Sequence, residues 1–177
     1  MKNNAITEYA EAIFTLSVED KNMDGYFKDI TLIRSILKKN PEYVALLASP
    51  NLTKDEMARA IDESFSPYVC ENVLSFFKLF CERGHVGSFY DCYLDYEKLY
   101  NSAKRITVAT VTSAVPLSDG ERARLIAALQ KRHGTRIELV CEVDPSILGG
   151  MIVRTEDTVA DGSLISKLRE IKDVIRS

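Results

Sequence analysis

Residues 104–121 read Lys-Arg-Ile-Thr-Val-Ala-Thr-Val-Thr-Ser-Ala-Val-Pro-Leu-Ser-Asp-Gly-Glu. From Ile106 to Thr112 the residues are apolar or β-branched, a composition that suits a pleated strand. Pro116 ends that run. In Ser118-Asp119-Gly120-Glu121 a Ser and a Glu stand three apart, the spacing at which each satisfies the other's exposed amide at a helix start. A strand followed by a capped helix is a change of period, because everything upstream repeats every three to four residues. The chain is therefore expected to be mainly α, with a helical unit over residues 1–105 and a small α/β unit over 106–177.

Upstream, Ile6, Tyr9, Ala10, Ile13 and Ser17 make one helical stripe, and Ala5, Tyr9, Ala12 and Leu16 make a second beside it. A helix apolar on two sides needs two surfaces to cover them. Tyr26, Ile30, Ile33 and Leu37 mark a second helix. Asn40-Pro41 reads as a cap followed by Pro at the first helical position, opening a short third helix that Ser49-Pro50 closes. Thr53-Lys54-Asp55-Glu56 is a capping box for a fourth helix with Met57, Ala60 and Ile61. Ser66-Pro67 is expected to open a fifth, running through Val73, Phe76, Phe77 and Phe80 to a stop at Gly84. Phe89, Tyr93, Tyr96 and Tyr100, spaced 4, 3 and 4, form the stripe of a sixth. Such a stripe reads as core. Six short helices in this span make a helical bundle.

Downstream, the helix opened by Ser118 carries Leu125 and Leu129 and ends at His133-Gly134. Arg136 to Glu142 alternates, with Ile137, Leu139 and Cys141 on one face. Met151-Ile152-Val153 and Thr158-Val159-Ala160 flank a short hairpin turn. Asp161-Gly162-Ser163 is a turn able to cap a last helix carrying Leu164, Leu168, Ile171 and Ile175.

Composition narrows the function. The chain has 177 residues, 46% hydrophobic and 28% charged, which is globular composition. Net charge is −3, carried by the helical half, and nucleic-acid binding needs clustered Lys and Arg that this half lacks. The four cysteines, at 70, 81, 92 and 141, form no C-x-x-C pair and read as free thiols. Met1-Lys2-Asn3-Asn4 leads into no apolar stretch, so no signal peptide is expected, and no run reaches the length of a membrane span. Gly149-Gly150 has no Lys-Ser/Thr after it and sits in no G-x-G-x-x-G, so it reads as a turn. Asp144-Pro145-Ser146 reads as the turn before it. Asp161, Gly162 and Ser163 are explained by turn and cap. His133 suits a helix C-terminus. No nucleophile–base pair, cofactor cradle or metal cluster is legible. The profile is that of an adaptor.

Five stretches, in order, resemble the delta-subunit family of F-type ATP synthases, whose mitochondrial member is the oligomycin-sensitivity-conferring protein. Tyr9-Ala10-Glu11-Ala12-Ile13-Phe14 looks like the family's Tyr-Ala-x-Ala-Leu-Phe. Ser49-Pro50 falls where the family has Ser-Pro. Val111-Thr112-Ser113-Ala114-Val115-Pro116-Leu117-Ser118 is similar to its T-S-A-x-P-L-S run. Asp144-Pro145-Ser146-Ile147-Leu148-Gly149-Gly150 is similar to D-P-S-I-I-G-G, and Asp161-Gly162-Ser163 to a late D-G-S. The chain departs from the pattern at Ser75, where Asn is frequent, and at Gly84-His85-Val86, where Gly-Arg-Leu is frequent.

The resemblance implies a non-catalytic stator subunit with no cofactor and no metal. It implies that the six-helix part holds the N-terminal helix of an alpha subunit between its first and fifth helices. The C-terminal part is implied to grip the b subunits of the peripheral stalk. Attachment to the cytoplasmic face of the cell membrane would be peripheral, through the complex, without direct insertion. The coupling ion would be a proton or sodium. On this reading Ala5, Tyr9, Ala12 and Leu16 face the alpha helix, and Ser75, Leu79 and Glu82, spaced 4 and 3, form the opposite wall. Two other classes compete. A helical RNA-binding regulator of the antitermination kind is opposed by the acidic charge. A small hydrolase or nucleotide-binding enzyme built on the Asp144–Gly150 and Asp161–Ser163 turns lacks its nucleophile.

Overall fold

The computed structural model describes residues 4–155 and 158–162. Six helices precede the first strand: α1 (Asn4–Glu19), α2 (Met23–Lys39), α3 (Pro41–Leu47), α4 (Lys54–Phe65), α5 (Glu71–Glu82) and α6 (Phe89–Lys104). Then come β1 (Ile106–Ser113), α7 (Asp119–His133), β2 (Arg136–Val143), β3 (Met151–Arg154) and β4 (Val159–Asp161). The fold is mainly helical with a small C-terminal sheet. The expected last helix, with Ser163, lies outside the described residues. Residue contacts divide the chain into two units, Met1–Tyr100 and Asn101–Ser177, so the division falls in the last turn of α6.

Local chemistry accounts for most helix ends. At Thr53 the side chain accepts the Glu56 amide while the Glu56 carboxylate accepts the Thr53 amide at 3.0 Å. Ser118 and Glu121 repeat the arrangement at the start of α7. Asn40 serves two helices. Its backbone N–H and side chain both donate to carbonyls at the end of α2, and Pro41 behind it starts α3 with the φ a first turn requires. Gly134 ends α7 in the left-handed region at φ 68°, where a Cβ would clash with the following carbonyl.

One expected boundary is corrected. Ser66-Pro67 does not open α5. Ser66 is the C-terminal cap of α4, its N–H donating to the Asp62 carbonyl, and Pro67 follows where a finished helix tolerates it. The helix continues to Phe65 because that ring is fully buried. The real cap of α5 is Cys70, which makes no side-chain capping bond. Its amide instead donates to the Asp29 carboxylate of α2 at 2.8 Å.

The core of the first unit is aromatic. Tyr26, Phe65, Phe77, Phe80 and Tyr96 are all fully buried. Phe77 meets Phe65 and Phe89 edge-on at centroid distances of 5.4 and 5.1 Å, a favoured geometry for ring quadrupoles. The Tyr96 stripe of α6 turns toward Phe27, which stacks on Tyr100 at 4.1 Å.

The second unit is smaller. Its sheet runs β2-β1-β3-β4, with β1 central. β1 and β2 are parallel, from Ile106↔Arg136 to Ser113↔Val143, and α7 makes the crossover that parallel strands need. β3 pairs antiparallel with both β1 and β4. Ala109, Leu129 and Ile137 form its buried centre, with Leu125, Ile126, Leu139 and Val153 against them.

Candidate functional site

The site is built from α1 and α5. On α1 a turn of 3.6 residues puts Ile6, Ala10, Ile13 and Ser17 into the core, and all four are buried. One step around the helix, Ala5, Tyr9 and Leu16 are half-buried and Ala12 is exposed. This is the second apolar stripe, and the unit's own core does not close over it.

Tyr9 sets the geometry. Its ring centre lies 6.3 Å from that of Phe76 and 5.3 Å from that of Phe80, both on α5, each in an edge-on arrangement. The His85 ring stands 5.5 Å from Tyr9 and 5.7 Å from Phe80. Four rings thus line the seam where α1 and α5 meet. Phe76 and Tyr9 are only partly covered, so the seam has an apolar, accessible floor.

On α5, Ser75 and Glu82 are exposed, and Leu79 stands 45% exposed on the outer surface. Glu82 leans toward α4, where its carboxylate is 3.7 Å from the Lys54 ammonium. Lys78 pairs in the same direction with Asp62. Phe76 and Phe80 are the α5 rings that meet Tyr9 of α1. Phe76 and His85 were absent from the sequence-derived wall. The signal for Phe76 lay in its i+4 spacing from Phe80 on the same apolar face. His85 carried none, since the left-handed Gly84, at φ 77°, folds the chain back before it.

The turn residues behave as local structure. Asp144 accepts the Ser146 amide at 2.9 Å, and these bonds hold its carboxyl below the usual range. Pro145 begins a short 3₁₀ turn, Leu148 takes a left-handed φ of 60°, and Gly149 and Gly150 continue the reversal. Gly162 sits against β3, its N–H donating to the Met151 carbonyl at 3.0 Å. A Cβ there would stand 3.3 Å from the same oxygen. Asp161 ends β4.

Among the described residues, no three His, Cys, Asp or Glu side chains converge as metal ligands. Burial pushes the Cys81 and Cys92 thiols up to about 12, the reverse of an activated nucleophile. What the first unit presents is an aromatic seam between two helices with small residues beside it. Fold and site together present a helical unit whose exposed feature is a packing surface, joined to a small sheet unit.

Comparison with known proteins gives the family. The profile described as ATP synthase delta (OSCP) subunit matches residues 6–175. ATP synthase subunit delta of Prochlorococcus marinus (strain MIT 9301) is 31% identical over 170 residues, covering 96% of this chain and 94% of its own. The subunit delta of Alkaliphilus oremlandii is 32% identical over 165 residues, covering 93% and 92%. A chain in the mitochondrial ATP synthase hexamer of Toxoplasma gondii shares the fold, with a TM-score of 0.75 at 18% identity and 97% coverage of both chains. The chain belongs to the ATP synthase delta (OSCP) subunit family. Members of this family are non-catalytic structural subunits of the peripheral stalk of F-type ATP synthases. Membrane association comes through the complex, and no described helix is long and apolar enough to cross a bilayer.

Proposed function

We propose that the first unit binds the N-terminal helix of an alpha subunit along the α1–α5 seam, and that the second unit grips the C-terminal helices of the b subunits. The protein then ties the catalytic head to the membrane sector at the cytoplasmic face and resists rotor torque while protons or sodium ions drive synthesis. The observation that carries the first half is the Tyr9 ring, edge-on to Phe76 and Phe80, with Ala12 exposed one turn away. An incoming helix needs an aromatic floor to bury its apolar face and small residues to approach closely. Tyr9 and Phe76 provide the floor, while Ala5 and Ala12 provide clearance. Leu16 extends the strip along α1, and Ser75 and Leu79 border it on α5. Glu82, shared with Lys54, marks its α4 side.

Titration calorimetry with an alpha N-terminal peptide tests this. Tyr9→Ala is expected to weaken binding by about 2 kcal/mol, roughly thirtyfold, as for a buried aromatic anchor. Ala12→Asp puts an unpaired carboxylate into the strip and is expected to abolish binding while the helical circular dichroism stays unchanged. Unaltered affinity in both variants would remove the seam as the alpha site.

A further inference from the structure

We propose that a second cavity of the first unit, between α2, α3 and the start of α6, binds a small organic acid, a carboxylate on an apolar stem. The cavity measures about 330 Å³, at the lower end of the range that small-molecule sites occupy. Its floor is apolar: Leu37, Val86 and Phe89 are all buried. Its rim carries Arg34, Lys38 and Tyr90, and among the described residues no acidic side chain lines it.

Arg34 is the anchor. Its guanidinium carbon lies 4.6 Å from the Tyr93 ring centre and 5.3 Å from that of Tyr90. A guanidinium set over two rings gains from both ring quadrupoles and still has N–H donors to offer an acceptor. Among the described residues no carboxylate pairs with Arg34 or Lys38, and the Arg34 Nε is buried without an acceptor. Glu97, on α6, is engaged by the Tyr93 hydroxyl. Two carbonyls in the last turn of α2, on Ile36 and Leu37, accept from Asn40. A cation partly withdrawn from water without a counter-charge is costly, and an anion on its terminal nitrogens offsets that cost.

The depth profile sets the shape of the occupant. The apolar floor is buried, whereas Lys38 and Tyr90 are exposed. The stem therefore enters first and the carboxylate stays at the mouth, bonded to Arg34 with Lys38 beside it. A short acyl or aryl acid meets those demands.

Hexanoate and its neutral counterpart hexanamide, each titrated into the full chain and followed by amide chemical shifts, test the site. Hexanoate is expected to move the amides of Leu37, Gly87 and Tyr90 and to bind about tenfold more tightly than hexanamide. Arg34→Gln is expected to remove that preference. Gly87→Leu provides a variant that keeps Arg34. A Cβ at Gly87 meets nothing within 4 Å, so the chain folds around it while the longer side chain fills the mouth, and both ligands are lost. Equal binding of acid and amide would overturn the proposal. So would shifts confined to the α1–α5 seam, or no response to the free acid where a peptide carrying Glu beside Leu does respond.

Discussion

Phe77 is the residue on which the first unit most depends. It is fully buried and sits between Phe65 of α4 and Phe89 of α6, so its ring joins three helices. Phe77→Ala removes those contacts and leaves a cavity that rigid neighbours cannot close. The expected loss is about 3–5 kcal/mol in urea unfolding, with the sheet unit's own signals unaffected. The cysteines offer a second check at this scale. Burial raises Cys81 and Cys92 to about 12, so at neutral pH both are thiols with little nucleophilicity. A disulfide reagent at pH 7.5 is expected to leave these two untouched in the folded chain. All four cysteines should react in guanidinium. Rapid labelling of Cys81 or Cys92 in the native protein would show that α5 and α6 open far more often than their packing implies.

At the scale of the element, the caps link sequence to pH. In both capping boxes hydrogen bonds from the cap residue hold the glutamate below its ordinary pKa, Glu56 through Thr53 and Glu121 through Ser118. A carboxylate depressed in the folded state contributes stability above its unfolded pKa, about 4.3. That contribution is lost as pH falls through the lower, folded value. Glu121→Ala is therefore expected to destabilise the chain at pH 6, with the difference from the parent shrinking in thermal melts as pH falls below about 4. These boxes were legible because all their chemistry lies within four residues. Ser66-Pro67 misled for the same reason. A polar residue before Pro signals a helix start locally, but the burial of Phe65, set by partners on other helices, carried α4 to that point. Cys70 gave no signal, because the group that satisfies its amide is Asp29, distant in sequence. Likewise the strands were visible by composition, whereas the order β2-β1-β3-β4, mixing parallel and antiparallel pairs, is a choice among pairings that no single strand encodes. The candidate site divides the same way. The α1 stripe is periodic and readable, while the Tyr9–Phe76 contact depends on which helix becomes its neighbour.

For the whole molecule, the two units differ in the kind of core their described residues build. The first buries five large rings completely. Among the described residues the second is centred on Ala109, Leu129 and Ile137, with Val111 and Ile147 also buried. If the units divide their partners as proposed, a chain cut after Arg105 keeps alpha-peptide affinity and loses the b subunits in a pull-down. Retention of b by the shortened chain would place that contact on the helices.

The place of β1 in its sheet has a mechanical consequence. The chain passes from α6 through Arg105 straight into this strand, and β1 is bonded along its whole length to β2 and over half of it to β3. Tension arriving along the backbone at Ile106 thus meets a central strand, held by β2 from its first residue and by β3 as well from Thr110 onward. An edge strand at that junction could be peeled away one hydrogen bond at a time along its whole length, whereas β1 must shed two ladders together once the opening reaches Thr110. Pulling at the junction therefore loads the β1–β2 ladder first and must reach the doubly paired half of β1 before that strand comes free.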